Sequence, residues 1–250
     1  MVVVPAGQPI RWPGFILNTV LMVYITTLPL YFFSMVNRIR RVSPAVPVPD
    51  LRVAFLVTKA PSEPWSMVRT TLEAMLTQVF PREFDVWLCD EAPAPETVAW
   101  CAERGVQIST RQGIDAYQRT TWPRRRRCKE GNLAWFYDNY GYDRYDVVAQ
   151  LDADHVPGPG YLIEMVRPFR EPGVGYVAAP SVCDANREVS WSVRGRLHEE
   201  AGFHGPLQTG HNDGYGPVCI GSHYAVRTQA LQTIGGIGPE LAGTSRRRTC

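Results

Sequence analysis

Residues 146–156 read DVVAQLDADHV, and this stretch places an apolar run directly before two acidic side chains. The run Asp146–Leu151 is almost entirely apolar after its first residue, as expected of a strand that is buried on both faces of a sheet. Asp152 and Asp154 follow at the predicted end of that strand. Two carboxylates at this spacing suit Mg²⁺ or Mn²⁺, although an isolated D-x-D is more often a solvated acidic turn.

The sequence around this stretch alternates between predicted strands and predicted helices. The strands are predicted at residues 53–57, 85–89, 106–109, 146–151 and 175–179, and the helices at 66–79, 97–103, 132–140 and 161–169. This alternation predicts an α/β fold in which helices cover both faces of a mostly parallel sheet. Ligands bind to such sheets outside the carboxyl ends of the strands.

Acidic residues fall at that edge of the predicted sheet. Glu63 follows the first strand, Asp90-Glu91 follows the second, and Asp152-Ala153-Asp154 follows the fourth. We therefore expect a ligand to bind among these side chains.

Two basic features precede the D-x-D stretch. Lys129-Glu130-Gly131-Asn132-Leu133 lies at a predicted helix start, where a lysine, a glycine and free backbone N–H groups can bind a phosphate. The alternative is a helix cap with a surface lysine. The run Arg124–Arg127 comes just before it. One interpretation is that these arginines attract a diphosphate or an anionic lipid, and the other is that they lie in a solvated loop.

The N-terminal part of the chain carries no charged residue from Trp12 to Asn37. About 20 apolar residues in a helix span a bilayer core, so we predict a transmembrane helix at residues 14–37. A cleaved signal peptide, with a shorter apolar region, and a buried core helix are the alternatives. More arginines follow the run than precede it, which predicts a cell-membrane protein whose larger part is cytoplasmic.

The chain divides into five predicted segments. These are an N-terminal segment (1–13), the transmembrane helix (14–37), an extended basic and proline-rich linker (38–50), a folded domain (51–242) and a basic tail (243–250). The chain has 250 residues, 45% of them hydrophobic, with 26 Lys and Arg against 24 Asp and Glu. This composition excludes wholesale disorder, and the near-neutral charge argues against nucleic acid as a partner. The six cysteines form no C-x-x-C pair, which favours a reducing compartment.

Four motifs follow one another along the predicted domain. They are K-x-G-N-L at 129–133, D-A-D-H-V-P at 152–157, G-S-H-Y-A-V-R at 221–227 and A-L-x-x-I-G-G at 230–236. Their order and spacing resemble those of the inverting family 2 glycosyltransferases, and within them the cellulose-synthase-like membrane enzymes. Ser62-Glu63-Pro64 is similar to that family's N-E-P turn, with serine in place of asparagine.

The resemblance implies a GT-A nucleotide-sugar-binding fold and a UDP-sugar donor, with UDP-glucose as the expected donor. In such an enzyme the sugar passes, with inversion, to a glycan or another hydroxyl acceptor. The membrane bilayer is an expected partner of the anchored enzyme.

The resemblance also assigns site residues. The expected nucleotide-sugar site consists of Glu63, Asp90, Lys129, Asn132 and Asp152, with Asp90 bound to the uracil. Asp152 and Asp154 are the expected catalytic and metal-binding pair, with Asp154 ligating the Mg²⁺ or Mn²⁺ that bridges the diphosphate.

The sequence departs from the family pattern after the glycine pair Gly235-Gly236. The family's general base, the aspartate of a T-E-D motif, is due there, but the chain continues through Glu240 into residues 243–250, GTSRRRTC. We therefore expect a truncated domain that lacks its base and transfers sugar weakly or not at all. A reading-frame shift near residue 243 would explain the tail. The alternatives are a short chain with a solvated basic tail and, less favoured, Glu240 as a substitute base.

Two other functions are compatible with these residues. One is a complete non-processive glycosyltransferase that adds a single sugar to a lipid acceptor. The other is a non-catalytic, membrane-tethered module that binds nucleotides. A transfer assay separates an enzyme from such a module, and the sequence leaves the sugar and the oligomeric state open.

Overall fold

The structure is a computed structural model that describes residues 11–40, 42–181, 184, 186–212, 214–216, 218–219 and 221–237. The predictions for residues 1–10, Arg41, Glu240 and the tail at 243–250 lie outside the described residues. The chain forms two compact units. The smaller unit combines Met1–Arg41 with Cys183–Pro217, and the larger combines Val42–Val182 with Val218–Cys250.

The larger unit is built around a six-stranded mixed sheet. Its strands are β1 (Val53–Lys59), β2 (Asp85–Asp90), β3 (Gln107–Ser109), β4 (Val147–Asp152), β5 (Tyr176–Ala178) and β6 (His223–Arg227). The order across the sheet is β3-β2-β1-β4-β6-β5. The first four strands in this order are parallel, and β6 runs antiparallel to both β4 and β5. The predicted α/β fold with a mostly parallel sheet is therefore confirmed.

Helices connect and cover the strands of the larger unit. They are α2 (Trp65–Leu76), α3 (Pro95–Glu103), α4 (Lys129–Phe136), α5 (Tyr142–Arg144), α6 (Tyr161–Val166) and α9 (Thr228–Thr233). Short 3₁₀ helices lie at Asp115–Tyr117 and Arg167–Arg170, and a π-helical turn at Tyr137–Gly141 follows α4.

The core lies on both faces of the sheet because the central strands are apolar along most of their length. Along β1, Phe55 and Val57 pack into the cluster on one face, and Ala54 and Leu56 into the cluster on the other. Successive side chains of a strand point to opposite faces, so this uninterrupted apolar run is the pattern of a strand that is covered twice. The rigid centre fixes where the strand ends lie, and the site is built at those ends.

The linker that precedes β1 is bound to the larger unit. The buried guanidinium of Arg167 donates hydrogen bonds to the carbonyl oxygens of Pro44, at 2.7 Å, and Val46. Val48 packs against the core. The segment is thus irregular, as its prolines predict, but residues 44–48 lie against the larger unit.

The smaller unit contains α1 (Trp12–Asn37), α7 (Trp191–Gly202) and α8 (Gln208–His211), with a π-helical turn at Phe203–Leu207. Among the described residues, α1 is the one helix that is long and apolar enough to cross a membrane. Its last turns pack closely against α8 at Gly210. A Cβ at this position would lie 2.5 Å from the carbonyl oxygen of Met35, so glycine allows the approach. Tyr31 adds a hydrogen bond of 2.5 Å to His211.

Candidate active site

A pocket of about 160 Å³ lies at the carboxyl ends of β1 and β4, beside the start of α4. It is lined by Thr58, Lys59, Ala60, Pro61, Glu63, Glu91, Arg127, Cys128, Lys129, Asn132 and Asp152. Four of the predicted site residues, namely Glu63, Lys129, Asn132 and Asp152, therefore share one pocket. Of the other two, Asp154 follows the strand that ends at Asp152, and Asp90 lies behind Lys59.

Asp152, Asp154 and His155 form the acidic end of the site. Each offers one ligand atom, and these atoms all lie within 4.8 Å of one another. The Nδ1 atom of His155 is 2.8 Å from Asp154, and its Nε2 atom is 3.1 Å from the hydroxyl of Ser181. Carboxylate oxygens and an imidazole nitrogen suit Mn²⁺, and the carboxylates suit Mg²⁺, so the residues fit a divalent cation.

The loop that carries these ligands is held by α2. The buried hydroxyl of Thr71 donates a hydrogen bond of 2.7 Å to the carbonyl oxygen of Ala153, between the two aspartates. Farther along the loop, the side chain of Gln78 donates to the carbonyl oxygen of Gly158, at 2.9 Å, and accepts from the backbone N–H of Leu162, at 2.9 Å. These contacts hold the backbone that carries the carboxylates, and no sequence pattern indicates them.

Lys129 connects α4 to the loop that carries Asp152 and Asp154. Its ammonium contacts Asp152 Oδ1 and also donates to the carbonyl oxygen of Gly221. The side chains of Lys129 and Asp152 are both about one-third exposed, so both groups are reachable from the pocket. The structure thus brings together two site residues that lie far apart in the sequence.

Asp90 is held beneath the pocket. It is 1% exposed, and the ammonium of Lys59, which lines the pocket, lies 3.0 Å from its Oδ2 atom. Its Oδ1 atom accepts a hydrogen bond of 3.1 Å from the backbone N–H of Ala92. The expected contact between Asp90 and the uracil of a donor stays a prediction.

Burial raises the pKa of the neighbouring Cys89 thiol to about 12, so this cysteine is protonated at neutral pH.

Glu63 stabilises the turn after β1. Its Oε2 atom accepts a hydrogen bond of 2.5 Å from the backbone N–H of Ala60, while its own N–H donates to the carbonyl oxygen of Ala60. The carboxylate therefore closes the turn and also forms part of the pocket wall.

Gly131 and Asn132 both serve a buried arginine. Arg111 is completely buried, and its Nε atom donates a hydrogen bond of 2.8 Å to Asn132 Oδ1. A Cβ on Gly131 would lie 1.9 Å from Arg111 Nη1, so glycine is required for this guanidinium to fit. The structure shows that this glycine makes room for Arg111, and the expected binding of a phosphate at this helix start stays a prediction.

Arg111 and Glu91 form a buried ion pair that the sequence interpretation missed. The guanidinium contacts Glu91 Oε1 and donates to the carbonyl oxygens of Arg125 and Cys128. Glu91 in turn accepts hydrogen bonds of 3.0 Å from the backbone N–H groups of Arg127 and Cys128. Buried charges require such partners, and the position of Arg111 just after the third predicted strand was the available signal.

The four successive arginines of the loop have different surroundings. Arg124 bonds to Glu130 through both its backbone N–H, at 2.9 Å, and its side chain, at 2.8 Å. The guanidinium of Arg125 lies over the ring of Trp122, 4.9 Å from its centroid. Arg127 lines the pocket. The run is therefore an ordered loop rather than a uniformly solvated one.

Comparisons with known proteins agree with this architecture. A family model described as "Glycosyltransferase like family 2" matches residues 49–245. The solved structure of a mannosyltransferase from Pyrobaculum calidifontis, in complex with GDP-Man and Mn²⁺, is similar with a TM-score of 0.63 at 17% identity. The similarity covers 88% of this chain and 57% of that one.

A second similar structure is glucosyl-3-phosphoglycerate synthase from Mycobacterium tuberculosis with Mn²⁺, UDP and glucosyl-3-phosphoglycerate. Its TM-score is 0.46 at 13% identity, and the similarity covers 76% of this chain and 64% of that one. This chain thus spans less than two thirds of each of these proteins. A search of curated protein sequences found no match. The similarity to the mannosyltransferase establishes a GT-A fold for the larger unit.

Proposed function

The chain belongs to the glycosyltransferase-like family 2, and we propose that it transfers a sugar, with inversion, from a nucleoside diphosphate sugar to a hydroxyl acceptor. One observation carries the proposal. Asp152, Asp154 and His155 place three ligand atoms within 4.8 Å of one another at the pocket edge where Lys129 also lies. Acidic ligands beside a cationic side chain suit a diphosphate together with a divalent cation.

The reaction exchanges one bond for another. The acceptor oxygen forms a bond to the anomeric carbon, and the bond from that carbon to the diphosphate oxygen breaks with its electron pair on the nucleoside diphosphate. The proton of the acceptor hydroxyl passes to a general base; Glu240, the substitute base considered from the sequence, lies outside the described residues. Negative charge develops on the departing diphosphate, so cationic groups placed there stabilise the transition state.

Asp152, Asp154 and His155 would hold the metal, Mg²⁺ or Mn²⁺. When bound, the metal supplies positive charge that polarises the diphosphate. The chain's own residues bind and position the donor. Lys129 supplies an ammonium at the same edge, and the Thr71 hydrogen bond keeps the loop of Asp152 and Asp154 in place.

The donor that we propose is UDP-glucose, and the acceptor a growing glycan. Support comes from the sequence resemblance to the cellulose-synthase-like enzymes. Lys59 lines the pocket next to the buried Asp90, the residue that the resemblance assigns to the uracil of the donor. We further propose that α1 anchors the protein in a cell membrane with the larger unit in the cytoplasm. A lipid acceptor is the alternative, which extraction of a labelled product into organic solvent would reveal.

Calorimetric titration tests the site directly. UDP and GDP are titrated into the full chain in detergent, with and without Mn²⁺. Wild type should bind one of them more tightly when Mn²⁺ is present, and Asp154→Asn should lose at least about 10-fold of that enhancement because a carboxylate ligand is removed. A radiolabelled transfer assay then shows whether binding leads to catalysis.

Asp115→Asn is the matched control, because Asp115 is exposed and its side chain makes no hydrogen bond or ion pair within the described part of the chain. This variant should keep the full effect of Mn²⁺. Equal enhancement in Asp154→Asn and wild type would show that the metal site is misplaced.

A further inference from the structure

Three cationic side chains line the pocket, and two of them have acidic partners. Lys59 lies 3.0 Å from Asp90, and Lys129 contacts Asp152. Arg127 is the third, and across the described ranges its guanidinium has no hydrogen bond, ion pair or aromatic ring as a partner. Among the described residues, no carboxylate therefore lies within ion-pair distance of this guanidinium.

The backbone at Arg127 is held in an unusual conformation. Its φ is 53°, in the left-handed region that non-glycine residues rarely adopt. Two backbone N–H groups, those of Arg127 and Cys128, donate hydrogen bonds of 3.0 Å to the carboxylate of Glu91. Glu91 is itself fixed by the buried Arg111. The loop thus holds Arg127 at the pocket with a backbone that cannot turn freely.

The neighbouring arginines do not share this position. Arg124 is bonded to Glu130, and Arg125 lies over Trp122. Arg126 is exposed and is not among the pocket residues. Of the four successive arginines, Arg127 is the one whose side chain lines the pocket.

A guanidinium presents planar N–H groups that match two phosphate oxygens, and it keeps its charge at every physiological pH. Lys129 forms an ion pair with Asp152, whereas the Arg127 guanidinium has no ion pair in the described part of the chain, and the nearby Glu91 carboxylate pairs with Arg111 instead. We propose that Arg127 binds the diphosphate of the sugar donor, and so makes the affinity of the pocket depend on the second phosphate. The inference rests on the proposed function and adds a donor-binding residue to it.

The test compares nucleotides that differ by one phosphate. UDP and UMP, with GDP and GMP as a parallel pair, are titrated calorimetrically into the full chain in detergent with Mn²⁺ present. Arg127→Gln should weaken binding of the diphosphate about 10-fold or more and change monophosphate binding much less, so the preference for the diphosphate shrinks. Arg127→Lys, which keeps the charge but not the planar fork, should recover part of the loss.

Arg126→Gln is the matched control and should bind like wild type. If wild type binds neither diphosphate, the proposed function fails. If wild type binds one and Arg127→Gln binds it as tightly as Arg126→Gln does, the proposed function stands and this inference is overturned. An equal loss for diphosphate and monophosphate would also overturn it, because Arg127 would then act on something other than the second phosphate.

Discussion

At the scale of single residues, Arg111 determines the shape of the basic loop. Its guanidinium bonds to Glu91 and Asn132 and to the carbonyl oxygens of Arg125 and Cys128. The side chain is completely buried, so each of these bonds replaces one that water would otherwise make. The loop residues that face the pocket are thus held through one side chain that does not touch it.

Arg111→Met should therefore destabilise the protein strongly. The substitution removes the partner of Glu91 and leaves a buried carboxylate unpaired, which costs about 3–5 kcal/mol in comparable sites. The measurement is the free energy of unfolding in urea. Arg119→Met is the control: Arg119 is exposed and its side chain makes no hydrogen bond, ion pair or ring contact in the described part of the chain, so the change should be within about 0.5 kcal/mol. Similar values for the two variants would contradict this role of Arg111.

The sequence was informative about the site residues that follow strands and less so about their partners. Asp152 could be placed at the pocket because the strand before it is apolar except for Gln150, which indicates where its carboxyl end lies. The ion pair of Arg111 with Glu91 depends on the path of the loop between β3 and α4, which leaves no periodic pattern. For the same reason, the contact between Gly131 and Arg111 was not predicted.

At the scale of elements, burial explains which predictions succeeded. The strands β1, β2 and β4 lie within one or two residues of their predicted ends, because each is apolar on both faces. β6 was not predicted as a strand, since its short HYAVR sequence begins and ends with polar residues. It pairs antiparallel with β4, and its central side chains are buried.

The ends of helices were predicted less well than the strands. α2 was predicted to reach Val79 but ends at Leu76, and the backbone N–H of Val79 bonds to Pro159 instead. α4 begins at Lys129, three residues before its predicted start at Asn132. In the first case a tertiary contact with the loop after β4 replaces the helical pattern. In the second the helix starts earlier than predicted, and Asn132 near its start accepts a hydrogen bond from Arg111.

The contact between α2 and the metal-binding loop gives a prediction at this scale. Thr71→Val keeps the shape of the side chain but removes the hydrogen bond to the carbonyl oxygen of Ala153. The two aspartates should lose their fixed geometry, and affinity for Mn²⁺ should fall about 10-fold. Electron paramagnetic resonance of free Mn²⁺ measures this affinity.

Thr70→Val is the matched control, since the Thr70 hydroxyl is exposed and bonds within its own helix, to the carbonyl oxygen of Ser66. It should leave Mn²⁺ binding unchanged. If Thr71→Val also binds Mn²⁺ as wild type does, α2 does not position the loop.

At the scale of the whole molecule, the composition of α1 sets it apart from the other described helices. Its side chains are almost all exposed, and Met35 is the residue of this helix that is buried. A helix of this length and hydrophobicity is stable where lipid covers its surface. The proposed anchor follows from that exposure together with the length of the helix.

Two arginines in the middle of α1 should prevent its insertion. Leu21→Arg combined with Ile25→Arg places two charges one turn apart near the centre of the helix, at a cost of about 5 kcal/mol or more in the bilayer. The measurement is the fraction of full chain that stays with membranes after an alkaline wash. Leu21→Ile with Ile25→Leu is the control and should stay bound. Retention of the arginine variant at the wild-type level would exclude α1 as a spanning helix.

The hydrogen bonds that Arg167 donates to Pro44 and Val46 have a mechanical consequence for the linker that precedes β1. The prolines in this segment limit its bending, and the two hydrogen bonds hold it against the larger unit. This stretch therefore adds nothing to the length over which the linker can extend. Extra residues inserted before position 44 would lengthen the connection to α1 and leave both hydrogen bonds in place. The same residues inserted after position 46 would lengthen that connection only if the hydrogen bonds to Arg167 broke.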